Sequence, residues 1–280
     1  MANIDMHTHS TASDGVNSPA QNVRLAAEKG LGGLAVTDHD TVSGVSEALS
    51  EAASHSNFLC IPGIEISTLD NGQDIHVLGY FIDYENAEFL SKLEELRTVR
   101  NKRNEKIVNN LQELGISITM EEVTAKRKSS SGNIGRPHIA EVLMEKEIIS
   151  SLREAFDKYL GKGKLAYAIT ERISPSDGVN IILDAGGVPV LAHPGLYDQD
   201  ELIPQLKEHG LAGLEVYHSD HSAEQEVHYR NLAERYQLIP TGGSDYHGIR
   251  NGKVFHGDLG NRYSDLITVE KLKSLSKKYR

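Results

Sequence analysis

Short apolar runs alternate with segments of helical periodicity over the first 85 residues. Residues 4–6 form a brief apolar run that leads into His7. Residues 19–29 read as a helix opened by Ser18-Pro19, a capping residue followed by a proline suited to the first helical position. Residues 33–37 read as a strand ending at Asp38, and residues 43–54 as a helix. Residues 58–66 are mostly apolar and carry Glu65; residues 75–82 give a fourth strand with His76 near its start.

The middle of the chain changes character. Residues 86–127 are rich in charge, with Leu90, Leu93, Leu96 and Val99 spaced at the helical period and a break at Gly115. Lys126-Arg127-Lys128-Ser129-Ser130-Ser131-Gly132 reads as a basic loop. Helices follow at 137–146 and 150–158, and 161–168 is broken by glycines. Alternation then resumes. Helices at 175–185, 199–209 and 222–235 precede strands at 188–192, 212–217 and 237–241. Those strands run into His193, His218 and Gly242-Gly243-Ser244-Asp245, and a last helix is expected at 270–277. The pattern is α/β, with about seven parallel strands in an irregular barrel whose active groups gather at the strand C-termini. Residues 1–85 and 171–280 are expected to form the barrel, and 86–170 a helical insertion or cap.

Composition narrows this little. A chain of 280 residues accommodates a barrel of about 250 residues with an insertion. The net charge of −11 disfavours indiscriminate duplex binding. Cys60 is the single cysteine, so no internal disulfide forms. No basic segment leads into an apolar stretch at the N-terminus, and no apolar run reaches membrane-spanning length. A cytoplasmic enzyme with no membrane partner is the expectation.

The polar punctuation of the strands carries the chemistry. His7 and His9 are two residues apart, so they share one face of a strand. Two adjacent imidazoles need a partner, which a divalent metal supplies. Asp14, Glu65 and Asp245 offer the carboxylates of a hydrolytic metal site. Within Asp38-His39-Asp40, His39 is the expected ligand, with the aspartates orienting imidazoles or capping the next helix. Asp245 and His247 repeat the two-residue spacing, and Gly242-Gly243 leaves room for close backbone approach.

Asp5-Met6-His7-Thr8-His9-Ser10, Ser13-Asp14-Gly15 and Thr37-Asp38-His39-Asp40 resemble the opening of the PHP (polymerase and histidinol phosphatase) superfamily. Gly63-Ile64-Glu65, His76-Val77-Leu78-Gly79-Tyr80, His193-Pro194 and Gly243-Ser244-Asp245-Tyr246-His247 extend the resemblance along nearly the whole chain. It implies a distorted (β/α)7, TIM-like barrel that binds three divalent ions: Mn, Fe or Zn. Carried over by motif, His7, His9, Glu65 and Asp245 hold one ion. Glu65 bridges to a second held by His76 and His193, and Asp14, His39 and His247 hold the third.

Gly135-Arg136-Pro137-His138 within the insertion resembles the branch of phosphatases that act on nucleotides. The expected activity is release of the 3'-phosphate from nucleoside 3',5'-bisphosphates, by in-line attack of a metal-bridging hydroxide. AMP-type 5'-nucleotide hydrolysis, 5'-3' exoribonuclease action on short RNA 5' ends and histidinol-phosphate hydrolysis are alternatives. A non-catalytic, metal-binding regulatory module is the reading from another class. Arg136, His138 and His218 are expected to contact phosphate, and His138 or His218 to protonate the leaving oxygen. Arg97, Arg100, Lys102 and Arg103 read as a solvated helix face, and the 126–132 loop as a segment able to close over a second phosphate. Tyr80, Tyr197, Tyr217 and Tyr246 lie near strand ends and could stack on a base.

Overall fold

The computed structural model describes residues 2–129, 132–250 and 252–279. It begins with β1 (Asn3–Asp5), α1 (Pro19–Glu28), β2 (Gly33–Val36), α2 (Val45–Ala52), β3 (Leu59–Asp70) and β4 (Gln73–Tyr80). A helical stretch follows: α3 (Ala87–Glu113), α4 (Met120–Thr124), α5 (Arg136–Glu145) and α6 (Leu152–Ala155), which runs into a π-helical turn at Phe156–Leu160. Then come α7 (Pro175–Asp184), β5 (Val188–Leu191), α8 (Leu202–Glu208), β6 (Gly213–His218), α9 (Ala223–Arg235) and β7 (Ile239–Gly243). A small hairpin of β8 (Ile249–Arg250) and β9 (Lys253–Val254), then β10 (Ser264–Asp265) and α10 (Leu266–Tyr279), complete the chain.

Three helix starts carry reciprocal serine caps. Ser18, Ser174 and Ser222 each accept a hydrogen bond from the backbone N–H three residues on, where the side chains of Gln21, Asp177 and Gln225 accept one from the serine N–H. Such reciprocal caps satisfy backbone donors that the helix itself cannot.

Eight strands form one sheet in the order β10-β1-β2-β3-β4-β5-β6-β7. Pairs β1/β2, β2/β3, β5/β6 and β6/β7 are parallel. The expectation of an all-parallel sheet needs correction, because β4 is antiparallel to both β3 and β5, and β10 is antiparallel to β1. The cause is local. Asp70 pairs with Gln73 across the two-residue turn Asn71-Gly72, whose φ angles are 46° and 74°. Asn-Gly favours this turn, whose twist matches that of the flanking strands. The chain therefore doubles back at once, with no crossover helix, and β3 runs past residue 66 to Asp70.

The sheet nearly closes into a distorted barrel. Met6 N donates to Gly242 O at 3.3 Å across the seam. The buried Asp5 carboxylate accepts from His7 N, Ser244 N, Ser244 Oγ and Gly260 N at 2.5–3.2 Å. Burial pushes its pKa up to about 6 against these hydrogen bonds.

Strand alternation divides the barrel's apolar residues. Leu34, Val36, Ile64, Ile66 and Val77 pack on helical residues such as Val23, Val45 and Val179. Ile4, Met6, Ala35, Ile61, Leu78 and Val190 form a second cluster, joined by Val269 and Leu272 of α10. The helical stretch has a third cluster, which includes Ile107, Leu111, Ile139, Leu143 and Leu160. Helix α3 spans two of them: Phe89 and Leu93 lie against the barrel, while Ile107 and Leu111 enter the helical cluster. Among the described residues no helix is long and apolar enough to cross a membrane.

Candidate metal centre

Strand ends and the β3–β4 hairpin deliver a cluster of imidazoles and carboxylates. His7 and His9 follow β1, and their Nε2 atoms face each other at 3.1 Å. Strand β7 comes close enough that a Cβ on Gly243 would fall 2.4 Å from the His7 Cβ, so glycine is needed there. Glu65 lies at the centre, 1% exposed. One of its oxygens is 2.8 Å from His76 Nδ1 and 3.0 Å from His193 Nε2. The other is 3.3, 3.1 and 3.0 Å from His7, His9 and His39. Asp245 Oδ1 lies 3.3 and 3.1 Å from His7 and His9. Asp14 is 3.3 Å from His247, 3.8 Å from His9 and 3.9 Å from His39.

Hydrogen bonds do not satisfy this cluster. His7 Nδ1 is bonded to Glu215 at 2.9 Å, so in the neutral ring Nε2 presents a lone pair towards His9. His247 Nδ1 lies 2.9 Å from the Asp245 carbonyl, which likewise turns its Nε2 lone pair towards Asp14. His9 Nδ1, Asp14 Oδ1, His39 Nδ1, Glu65 Oε2, His193 Nδ1 and Asp245 Oδ1 are buried without a hydrogen-bond partner. Protein interiors rarely leave such atoms orphaned. Convergent nitrogen and oxygen donors of this kind suit a divalent cation. Two four-residue sets have ligand atoms mutually within 4.8 Å: His7, His9, Glu65, Asp245 and His9, Asp14, His39, His247.

The electrostatics agree. Burial would raise the Glu65 pKa, but His39, His76 and His7 outweigh it and hold the carboxylate well below its usual range. Burial would lower His9, but the Asp245 and Glu65 carboxylates beside it prevail and raise it to about 10. Without a metal, His9 therefore retains a proton that a cation would displace. Backbone strain sits here too. Asp40, His193 and Asp245 have φ angles of 51°, 25° and 54°, which cost side-chain-bearing residues energy and persist where surrounding structure enforces them.

A surrounding layer of groups orients the cluster. Glu215, fully buried in β6, binds His7 Nδ1 through one oxygen and accepts from His193 N through the other at 2.8 Å. Sequence reasoning missed it, although a carboxylate inside the apolar run Leu214-Glu215-Val216 was a usable signal. His218 Nδ1 accepts from Asp220 N at 3.1 Å, so its proton sits on Nε2, 3.3 Å from Asp245. His218 is thereby held beside Asp245, fully buried. His256, also missed, bridges Asp220 and Asp245 at 2.5 and 3.5 Å.

Other expected residues land elsewhere. Asp38 orients no imidazole; it accepts from Ser10 N, Ser10 Oγ and Ser13 Oγ and so folds the loop carrying Asp14. Asp40 accepts from Ser67 N and takes two donors of Arg100. His138 is buried, its Nδ1 accepting from Gly135 N at 3.1 Å to close the start of α5. Tyr80 and Tyr246 are core residues, and of the four tyrosines only Tyr197 lines the cavity beside the cluster, edge-on to His193.

That cavity, of about 350 Å³, has a second charged wall. Arg103, Arg136 and Arg172 all contact Asp74, with Arg103 and Arg136 at 3.0 and 2.9 Å. Burial would raise Asp74, but the three guanidiniums hold it well below its usual range. The reading of the basic run as a solvated face is corrected for Arg100 and Arg103, which line the cavity; Arg97 and Lys102 are on the outside. In the 126–132 loop, Lys126 pairs with Glu145, and Ser130 and Ser131 lie outside the described residues.

Residues 5–239 match the PHP domain family. The 5'-3' exoribonuclease Rnm of Escherichia coli is 33% identical over 87% of this chain and 84% of its own length. A phosphoribosyl 1,2-cyclic phosphate 1,2-diphosphodiesterase of Eggerthella lenta is 32% identical over 90% of this chain and 96% of its own. A 3',5'-nucleoside bisphosphate phosphatase of Chromobacterium violaceum is 32% identical over 90% of each chain. Among solved structures, a protein from Bifidobacterium adolescentis assigned as a metal-dependent phosphoesterase superposes with a TM-score of 0.89. It is 31% identical and covers 98% of this chain and 96% of its own.

Proposed function

The chain belongs to the PHP domain family, and we propose that it is a metal-dependent phosphomonoesterase acting on nucleotides, with nucleoside 3',5'-bisphosphates as the leading substrates. The set of orphaned, converging donor atoms around Glu65 carries the reading. In it, His7, His9, Glu65 and Asp245 hold one ion. Glu65, His76 and His193 hold a second, supported by the contacts of both histidines to one Glu65 oxygen. Asp14, His39 and His247 hold a third. Bound divalent ions lower the pKa of water and offset charge on phosphoryl oxygens.

The chain's own groups would do the rest. Glu215 fixes the His7 tautomer, and His218 and His256 hold Asp245 in place. Residues 86–170 act as a cap over a barrel of residues 1–85 and 171–280, a division supported by the separate apolar cluster of the helical stretch. Tyr197 and the cap arginines wall the cavity and would exclude water from the reacting phosphate. A cytoplasmic setting belongs to the same reading.

A second reading is hydrolysis at the 5' end of short RNA. It is favoured by the Escherichia coli exoribonuclease, which is as similar to this chain as the bisphosphate phosphatase is. Phosphate release by Mn-loaded protein from adenosine 3',5'-bisphosphate, AMP, histidinol phosphate and a 5'-phosphorylated oligoribonucleotide separates these readings. We expect the bisphosphate to lead. Faster turnover of the oligoribonucleotide would favour the second reading, and turnover of none would overturn both.

A further inference from the structure

The loops that bring Asp14 and His39 to the metal centre are held differently from other ligands. Three of those others are fixed from within the barrel. Tyr246 N donates to His7 O at 3.3 Å, Ala192 N to His76 O at 3.1 Å, and His193 N to Glu215 at 2.8 Å. The Asp14 and His39 loops are also gripped from the helical stretch. Asn133 Nδ2 donates to His39 O at 2.7 Å. Asn133 N donates at 2.9 Å to Ala12 O, in the loop that leads to Asp14. Asn133 is buried.

Glycines let the segment come this close. A Cβ on Gly132 would fall 2.6 Å from Thr11 O, and one on Gly135 would fall 3.1 Å from Asp14 Oδ2. On its far side, Asn104 of α3 donates to Ile134 O at 3.0 Å and ties the segment to the helices. Arg250, after β7, makes a second tie. Its Nη2 donates to the Asp14 carbonyl, and its Nε donates to Glu141 of α5 at 2.6 Å. The Arg250 side chain is 9% exposed, so this charge-assisted pair is shielded from solvent.

Asn133 and Arg250 thus converge on two members of one donor set: His9, Asp14, His39 and His247. Both bind main-chain carbonyls and leave the ligating atoms free, so what they control is position.

We propose that Asn133 and Arg250 are positioning residues that make the third ion site conditional on the seating of the cap. The inference rests on the three-ion reading above. Sites for the first two ions are built on the barrel, whereas the third closes only when segment 132–136 lies on the Asp14 and His39 loops. Linkage then runs both ways: a seated cap tightens the third ion, and the third ion tightens the cap to the same extent.

Two variants test it, Asn133→Ala and Arg250→Met, with Asp14→Asn as the reference for loss of the third ion. The first readout is calorimetric titration of Mn into chelator-treated protein. Asn133→Ala should weaken one ion by about tenfold or more, the scale of a group that orients a ligand. On the Asp14→Asn background it should weaken nothing further, because the site it serves is already gone. Weakening of the ions that remain in Asp14→Asn, or no weakening in either variant, would overturn the proposal. Arg250→Met carries the test if Asn133→Ala does not fold. If Asp14→Asn binds every ion as the wild type does, the three-ion reading fails and takes the coupling with it. A loss in Asp14→Asn with none in the two variants sinks the coupling alone.

The second readout needs no variant of the cap. Hydrogen exchange within α5 of the wild type should slow during the Mn-binding step that Asp14→Asn lacks. Exchange that is unchanged across that step overturns the proposal.

Discussion

Glu65 and Asp74 lie on the same hairpin, and each is a buried carboxylate at the hub of a cationic cluster. Both are held well below the usual carboxylate range by those neighbours, against burial. The difference lies in the neighbours. Histidines give Glu65 lone pairs and movable protons, so its cluster is left with orphaned atoms that ask for a cation. Arginines are donors only and keep their charge, so the Asp74 cluster carries surplus positive charge that asks for an anion. One hairpin thus carries two hubs of opposite electrostatic demand.

The largest expected effect comes from breaking the first hub. Glu65→Gln should lower phosphate release by more than the roughly 100-fold typical of a residue that merely orients a ligand. Metal content of the purified variant should fall with it. A variant that keeps full metal content and activity would end the comparison.

Breaking the second hub should act on stability instead. Asp74→Asn leaves three buried guanidiniums without their counter-ion and should cost about 3–5 kcal/mol. Hydrogen exchange should show the loss first at α5 and the carboxyl-terminal half of α3, with the β-strands less affected. Uniform loosening of the whole chain would mean that the hub serves the barrel as much as the helices.

The smallest effect is a pH response. A carboxylate depressed by folding contributes stability that is complete above its unfolded pKa of about 3.9 and is lost as pH falls through the lower folded value. Protection of α5, corrected for intrinsic exchange, should therefore be flat from pH 7 down to about 4.5. A decline within that window would mean that Asp74 is not held as its three ion pairs imply.

How much of this was legible in the sequence depended on the range of the interaction. His7 and His9 were readable from a spacing of two, and the serine caps from local motif. The antiparallel return of β4 was equally local, for Asn71-Gly72 is a strong hairpin signal that went unused in favour of a parallel pattern. Arg100 and Arg103 continue the stripe Leu93, Leu96 towards Ile107, so helical phase already turned them inward. Reading the basic run as one block hid this. Long-range partners were a different matter. Nothing near Asp74 announces Arg136 or Arg172, and nothing near Asp245 announces His256. His138 has a local role that its motif did not announce, since its Nδ1 closes a helix start.

The seam of the barrel dictates when the cluster can exist at all. His7 and Asp245, 3.3 Å apart in the finished molecule, leave the ribosome 238 residues apart (245 minus 7). At about 5–20 residues per second, roughly 10–50 s separate them. Glu65 and His76 emerge together on one hairpin, so a nascent chain presents an unfinished claw of imidazoles and a carboxylate while β5, β6 and β7 are still unmade. The pocket is complete only once β7 and Asp245 have been made.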